Sequence, residues 1–313
     1  MQIYNDTFLS CNRRTKIHTM TWQPDTGVPV RGIVMLSHGV AEHVRRYEDF
    51  AAFLTRHGFL VAGNDHIGHG ESVEGVGLGS FGLTGGWAVA VGDMHQFHTQ
   101  LLERYPRLPC FLFGHSMGSF LSRTYIIRYR LGLDGVIFSG TGHQSRAVVN
   151  LGKAAAERVL KRRGAAYQSP FLNKLAFGSY NKGFAGRTLF DWLSRDEAEV
   201  DRYMEDPLCG FVPAASVFAE MMKGIAYITN PQNQQRMRKD LPVLFLSGDA
   251  DPVGENGRGV MRAYRSFLDV GMEDVSLKLY HEGRHEMLHE RNKAEVYADI
   301  LSWLEGKLEQ AEA

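Results

Sequence analysis

Short apolar runs alternate with amphipathic segments along most of this chain. Residues 32–37 and 59–63 are continuously apolar, whereas residues 46–56 and 88–104 repeat apolar side chains at helical spacing. A strand without polar alternation is buried on both faces, which is typical of parallel sheets covered by helices. The pattern therefore predicts an α/β fold with a mostly parallel sheet, opened by a hairpin within residues 3–22.

The strand pattern is interrupted once, in the middle of the chain. Residues 141–240 are predicted to be helical, basic at first and rich in aromatic side chains. Because the sheet pattern resumes cleanly afterwards, we interpret this segment as a helical cap inserted into a core formed by residues 1–140 and 241–313. The aromatic and methionine side chains of such a cap either pack on the core or line a ligand tunnel, and both interpretations stay open.

The composition excludes several classes of partner. Lys and Arg number 35, as do Asp and Glu, so no net charge attracts nucleic acid or an anionic membrane. The basic run at residues 161–163 predicts a solvated face, with contact to a phosphate or headgroup as the alternative. No apolar segment is long enough to span a bilayer, and the polar N-terminus does not resemble a signal peptide. Three separated cysteines without C-x-x-C spacing favour a reduced, cytoplasmic protein.

The most informative motif is G-x-S-x-G at residues 114–118. It lies between an apolar run that predicts a strand and a segment that predicts a helix. Small residues flank the serine because the chain reverses abruptly there, and a Cβ at either glycine would collide with neighbouring backbone. The turn exposes the Ser116 hydroxyl at a helix N-terminus, where backbone N–H groups can stabilise an oxyanion. We therefore predict that Ser116 is a catalytic nucleophile.

A serine hydroxyl needs a base that takes its proton, and a third group must orient that base. His285 follows the last predicted strand and is the candidate general base and acid. Asp251 follows the preceding buried strand and is the candidate that orients His285, with Asp249 in the same loop as its competitor. The carboxyl ends of parallel strands share one sheet edge, so these loops should meet the loop of Ser116.

An oxyanion formed at Ser116 needs two hydrogen-bond donors. One should be the backbone N–H of Met117, the residue after the nucleophile. The other should come from the loop after residues 32–37, where Val40 is the predicted donor and Gly39 allows the backbone to approach.

Several motifs in the same order resemble the monoacylglycerol lipase and lysophospholipase branch of the α/β-hydrolases. They are residues 37–43 with Arg46 and Tyr47, residues 65–72, residues 114–118, and the histidine loop 285–288 with Glu290; residues 192–195 and 206–211 resemble the cap of bacterial members. The resemblance runs nearly end to end and implies an eight-stranded α/β-hydrolase sheet with an inserted helical cap. It also implies a serine hydrolase of carboxylic esters with a single acyl chain, such as monoacylglycerols or lysophospholipids, working without a cofactor.

Residues 285–289 also match the H-E-x-x-H template of zinc metalloproteases. That chemistry needs both histidines one turn apart on a helix, together with a third ligand. The strand predicted just before His285 leaves little room for such a helix. We therefore expect no metal at this motif.

Two other functions remain as alternatives. A serine aminopeptidase or amidase of the same fold, similar to proline iminopeptidases, would use acidic cap residues to bind a free amine, but the acidic positions have the helical spacing of a solvated face. These positions are Glu197, Glu199, Asp201 and Glu205. A non-catalytic ligand-binding relative is the alternative of another class, and the complete set of Ser116, Asp251 and His285 argues against it. The expected partner is a small acyl ester, with no nucleic acid and at most transient contact of the cap with a membrane surface.

Overall fold

The computed structural model describes residues 1–82 and 85–312; residues 83, 84 and 313, which belong to the predicted core, lie outside this description. Eight strands form one sheet in the order β1-β2-β4-β3-β5-β6-β7-β8. The strands are β1 (Gln2–Leu9), β2 (Lys16–Gln23), β3 (Gly32–Ser37), β4 (Phe59–Asn64), β5 (Cys110–His115), β6 (Gly135–Ser139), β7 (Val243–Gly248) and β8 (Val275–Tyr280). β1 and β2 form the predicted hairpin, and every pairing from β4 to β8 is parallel. The predicted α/β-hydrolase sheet is confirmed.

Ten α-helices accompany the strands within the described residues. They are α1 (Glu48–Arg56), α2 (Gly86–Arg104), α3 (Met117–Arg128), α4 (Arg146–Arg163), α5 (Pro170–Phe177), α6 (Glu197–Glu205), α7 (Ala215–Ile228), α8 (Pro231–Gln234), α9 (Arg258–Asp269) and α10 (Lys293–Glu312). Short 3-10 helices cover Val44–Tyr47, Tyr180–Gly183 and Met287–His289. Among these elements, no helix is both long and apolar enough to cross a bilayer.

The core is divided into two layers by the central strands. In β3, Ile33 and Met35 face a cluster that contains α2, α3, α7 and α9, whereas Val34 and Leu36 face α1 and α10 on the other side. Successive strand side chains point to opposite faces, so a strand between two helical layers must be apolar at every position. This explains the continuous apolar runs in the sequence. α3 is buried from Met117 to Ile127, which fixes the helix that follows Ser116 inside the fold.

Two predicted helical regions differ in detail from the structure. The helix expected over residues 46–56 begins at Glu48, because Val44–Tyr47 forms a 3-10 turn whose first N–H donates to the Asp65 carboxylate (2.9 Å). The segment 141–240 contains α4 to α8 but is not helical throughout. Residues 184–196 run as turns, and they form backbone hydrogen bonds with the loop after β8. Pairing with another loop satisfies these backbone groups without a helix.

Candidate active site

Ser116 lies at a strained turn between β5 and α3. Its backbone angles, φ of 51° and ψ of −119°, fall in a region that residues other than glycine rarely adopt. The Ser116 N–H donates to the carbonyl of Ser139 in the neighbouring strand (2.9 Å). Gly118 packs so tightly on the end of β3 that a Cβ there would overlap the carbonyl oxygen of Ser37. The turn therefore presents the half-buried Ser116 side chain at the N-terminus of α3.

The loops after β7 and β8 bring Asp251 and His285 into contact. His285 Nδ1 lies 3.0 Å from Asp251 Oδ2, and the Asp251 side chain is fully buried. Asp251 also accepts hydrogen bonds from the N–H of Val253 (2.9 Å) and the hydroxyl of Ser247 (3.3 Å). These bonds hold the carboxylate in one orientation, so that it sets the tautomer and direction of the imidazole.

Asp249, the competing acid, points elsewhere. Its carboxylate accepts from the N–H of Glu282 (2.6 Å) and contacts the ring of His281 (3.2 Å) at the exposed end of β8. It stabilises the β8 turn, and the structure places Asp251 rather than Asp249 beside His285.

The environment of His285 favours its charged form. Burial opposes a charge on the ring, but the negative charge and hydrogen bond of Asp251 more than offset it and raise the pKa of His285. The His115 ring packs against His285 at a tilt, with ring centroids 4.7 Å apart, and burial lowers the pKa of His115 to about 4. His115 is therefore neutral near pH 7 and adds no repelling charge.

Ser116 and His285 line the same cavity. Among the described residues, Ser116 Oγ makes no hydrogen bond within the usual limits, so its contact with His285 is looser than that of His285 with Asp251. A loose serine–histidine contact is common in hydrolases without substrate.

Two free backbone donors lie beside Ser116. Within residues 1–82 and 85–312, neither the Val40 N–H nor the Met117 N–H has a hydrogen-bond partner, and both residues line the cavity. Gly39 packs against Ser116, since a Cβ on Gly39 would lie 3.2 Å from Ser116 Cβ. The predicted oxyanion donors are therefore next to the serine and unoccupied by protein acceptors.

A buried ionic network holds the loop that carries Val40. Glu42 Oε1 accepts from the N–H of Gly39 (2.5 Å) and the hydroxyl of Tyr47 (3.0 Å). Its other oxygen accepts from Arg46 (2.8 Å), which in turn forms a bidentate pair with Glu286 (2.6 and 2.7 Å). Burial works against charged carboxyls, but the Arg46 guanidinium holds the pKa of both below its usual range. The motifs pointed to these residues, yet sequence analysis gave them no role.

A segment between α5 and α6, residues 189–195, packs directly on the histidine loop. The N–H groups of His285 and Glu286 donate to the carbonyls of Trp192 (3.3 Å) and Leu193 (2.8 Å). Arg195 donates to the buried Glu290 carboxylate (2.9 Å). The Trp192 ring also packs against His285 in a tilted arrangement, with ring centroids 5.0 Å apart. The position of the imidazole therefore depends on this segment as well as on Asp251.

The cavity beside Ser116 has a volume of about 540 Å³ and mostly apolar walls. Part of the predicted aromatic and methionine set lines it and part packs elsewhere, so both interpretations of the cap residues hold. Members that line the cavity are Phe177, Tyr180, Phe190, Trp192, Phe211, Phe218, Met221 and Met222. Its polar residues include Gln144, Asn173, Lys174 and Asn181.

The H-E-x-x-H residues do not have the metalloprotease arrangement. Met287–His289 is a single 3-10 turn, Glu286 is paired with Arg46, and His289 Nε2 contacts the carbonyl of Arg46 (3.0 Å). His285 contacts Asp251 and His289 contacts the carbonyl of Arg46, so the two rings do not converge on one point where a metal ion could bind.

A serine on a strained strand–helix turn, an Asp–His pair and two free amides at one sheet edge define an α/β-hydrolase of the serine type. The Hydrolase_4 family model, described as serine aminopeptidase S33, matches residues 28–292, and the chain belongs to this family.

Similar proteins extend over nearly the whole chain. The monoglyceride lipase of Rattus norvegicus is 29% identical over 93% of this chain and 88% of its own length. The monoacylglycerol lipase of Mycolicibacterium smegmatis is 29% identical over 90% of both chains. A thermostable carboxyl esterase of Bacillus coagulans, solved with glycerol, is 27% identical with a TM-score of 0.88, covering 98% of this chain and 99% of that one. These comparisons confirm the predicted family and enzyme class, a serine hydrolase of carboxylic esters.

The Asp251–His285 contact predicts a specific pH dependence. His285 must be neutral to accept a proton, so kcat/KM should rise with pH on a limb centred above the ordinary histidine value. Asp251→Asn should lower kcat about 10⁴-fold and move that limb to lower pH, because the anion that raises the pKa is gone. Asp249→Asn is the matched control and should retain the wild-type profile. A wild-type pH profile and kcat in Asp251→Asn, together with a loss of kcat in Asp249→Asn, would show that Asp249 rather than Asp251 orients His285.

The ionic network predicts a loss of turnover at a residue that does not touch the reacting atoms. Glu42→Gln removes the charge that pairs with Arg46 and loosens the bond to Gly39, so kcat should fall by up to about 10²-fold with little change in KM. Glu48→Gln, in α1 close by, is the control. Unchanged kcat in Glu42→Gln, with normal folding by circular dichroism, would show that the network does not position the oxyanion donors.

Proposed function

We propose that this chain hydrolyses monoacylglycerols and similar single-chain esters through an acyl-enzyme on Ser116. The observation that carries the proposal is the apolar cavity that begins at Ser116 and extends under the helices between β6 and β7. A linear acyl chain fits an apolar channel of this kind, while the ester carbonyl stays at the polar end beside Val40 and Met117.

The reaction follows from the arrangement of these groups. His285 takes the Ser116 proton as the oxygen attacks the ester carbonyl, and the resulting oxyanion accepts from the N–H groups of Val40 and Met117. The imidazolium, stabilised by Asp251, then gives its proton to the leaving alkoxide, and the alcohol departs. Water attacks the acyl-enzyme with His285 again as base, and the free acid and Ser116 are regenerated.

The relatives support a glycerol ester as the substrate. Two of them are named as lipases of monoacylglycerols, and the similar esterase structure holds glycerol. Each of these likenesses covers about nine tenths or more of this chain. Because these relatives are named for monoacylglycerols, we favour monoacylglycerols over larger esters and keep lysophospholipids as the neighbouring class.

An aminopeptidase activity is the second candidate, because the matching family model carries that description. Recognition of a free amine would need an unpaired carboxylate in the cavity. The carboxylates lining it are Glu42 and Glu286, and both are paired with Arg46. The four acidic residues of α6 lie outside the cavity lining, and two of them are paired: Asp201 with Arg187, and Glu199 with Lys293. The cavity therefore suits an acyl chain better than an amine.

We assign residues 141–240 the role of a cap that forms the substrate cavity and contacts lipid surfaces transiently. Four exposed apolar side chains surround the cavity: Val148, Leu151, Leu175 and Leu189, of which Leu151 is 69% and Leu189 82% exposed. Residues 146–187 contain nine Lys and Arg against one acidic residue. An apolar rim with surrounding positive charge matches an anionic lipid surface.

We also propose that the protein works in the cytoplasm. Its three cysteines are free, and two of them, Cys110 and Cys209, are buried. Unpaired buried thiols are typical of proteins that fold in a reducing compartment.

A hydrolysis panel tests the substrate. Monoacylglycerols should be cleaved with higher kcat/KM than lysophospholipids, and both well above aminoacyl amides. Ser116→Ala should lower turnover on the order of 10⁶-fold, whereas Ser122→Ala, in the same helix but outside the cavity, should stay active. Faster turnover of aminoacyl amides than of any ester would overturn the proposed function.

A vesicle-binding assay tests the lipid contact. The wild type should co-sediment with phosphatidylglycerol-containing vesicles, and Leu151→Ser with Leu189→Ser should weaken binding about tenfold or more, because two apolar contacts are lost. Leu131→Ser is the matched control, since Leu131 is 81% exposed but lies outside the cavity rim. Equal binding by both variants would exclude the rim as the contact surface.

A further inference from the structure

We propose that His43, Asp206 and Cys209 form a binding site for Zn²⁺. It would lie between the loop that carries Val40 (residues 38–43, the oxyanion loop) and the turn after α6 (residues 206–210, the cap turn). One ring nitrogen of His43, an Asp206 carboxylate oxygen and Cys209 Sγ lie within 4.8 Å of one another. Imidazole, carboxylate and thiolate are the three ligand types that zinc prefers, and three protein ligands with one water complete a tetrahedron. This proposal does not depend on the proposed function, because it concerns residues outside the proposed chemistry.

The backbone already holds the three ligands in a compact arrangement. Asp206 and Cys209 belong to one turn after α6, in which the Cys209 N–H donates to the Asp206 carbonyl (3.0 Å) and the Leu208 N–H to the Asp206 carboxylate (2.8 Å). His43 immediately precedes the 3-10 helix Val44–Tyr47 on the core side. The next residue of the cap turn, Gly210, donates to the carbonyl of Ala41 (3.0 Å), which keeps the two sides together.

Small movements would convert this arrangement into a metal site. His43 Nε2 and Asp206 Oδ2 are 2.8 Å apart, as a hydrogen-bonded pair. Tetrahedral zinc with bonds of about 2.0–2.3 Å needs ligand atoms about 3.3–3.8 Å apart. The His43–Asp206 pair would therefore open by roughly 0.5–1 Å, and the Cys209 sulfur, which lies within 4.8 Å of both, would close by at most about 1–1.5 Å. The Asp206 side chain is 30% exposed, which gives the ion a path from solvent and a position for water.

The local charge favours a dication. Arg46 lies close by, but two carboxylates, Glu42 and Glu286, pair with it. The net charge of these three side chains is negative, and Asp206 adds a further negative charge. On binding, the Cys209 thiol releases its proton to solvent. The hydrogen that His43 Nε2 shares with Asp206 is also displaced, which leaves the neutral ring protonated on Nδ1 and Nε2 free to coordinate. Burial raises the pKa of the free thiol, and the bound cation supplies the charge that stabilises the thiolate.

Zinc in this position would join the oxyanion loop, which carries Val40, to the cap turn. His43 lies three residues after Val40, and Ala41 between them already accepts hydrogen bonds from Gly210 of the turn and from the Tyr203 hydroxyl of α6 (2.9 Å). A metal bridge would fix the cap turn against the oxyanion loop more firmly than these neutral hydrogen bonds. How firmly the cap turn is held against the oxyanion loop would thus depend on the availability of zinc.

Metal titration of the EDTA-stripped full-length chain tests the proposal. Calorimetry with ZnCl₂ should give one zinc per chain, and CoCl₂ should produce a sulfur-to-cobalt charge-transfer band in the near ultraviolet. His43→Gln and Cys209→Ser should each weaken zinc binding about 100-fold or more, and Cys209→Ser should abolish the band. Cys11→Ser, which removes an exposed thiol elsewhere, is the matched control and should bind as the wild type does.

Three results would overturn the site. They are absence of zinc binding in the wild type, unchanged zinc affinity in His43→Gln, and a cobalt complex without the sulfur band. Because these readouts do not use ester hydrolysis, they are independent of the outcome of the substrate panel. The His43 variant retains the thiol and decides the question if Cys209→Ser does not fold, as checked by circular dichroism.

Discussion

The strained backbone of Ser116 is the constraint on which the rest of the site depends. A positive φ at a residue other than glycine costs on the order of 1–3 kcal/mol, and it persists only where the surroundings hold it. Here the hydrogen bond from Ser116 to Ser139 and the contact of Gly118 with the end of β3 hold the turn. Both contacts come from neighbouring strands of the sheet. The position of Ser116 therefore depends on the order of the strands.

Two buried carboxylate clusters connect the loops around that turn. Glu42, Arg46 and Glu286 join the oxyanion loop to the histidine loop, and Glu290 joins the histidine loop to the cap through Arg195. Removing one member of such a cluster leaves a buried charge without its partner, which costs more than the intact pair contributes. Moving these loops apart would leave buried charges unpaired, so the clusters oppose such a displacement. Residues 189–195 belong to this fixed frame, although they lie within the cap segment.

The sheet could be predicted from the sequence because its physical cause is local. Every residue of a strand between two helical layers must be apolar, so the strands read as continuous runs. The order of Ser116, Asp251 and His285 after such runs likewise follows from topology. The break between α5 and α6 was missed because the turns at 184–196 are stabilised by the histidine loop, far away in sequence.

Pairings between residues that are distant in the sequence could not be predicted either, because no local pattern marks them. Arg46 and Glu286 are separated by 240 positions, and no local pattern connects them. Asp249 and Asp251 lie in one loop of the sequence, whereas the structure separates them by their partners. Asp249 contacts the β8 turn, and Asp251 contacts His285. Catalytic roles for these residues, and the boundaries of the cap, stay predictions.

Covalent labelling tests the central claim, that Ser116 carries the acyl group. The protein is treated with a fluorophosphonate, residual ester hydrolysis is measured, and the adduct is located by mass spectrometry of peptides. The account predicts one adduct per chain on Ser116, with activity lost in proportion to labelling and no adduct in Ser116→Ala. Full ester hydrolysis by Ser116→Ala, or an adduct on a different residue that abolishes activity, would contradict it.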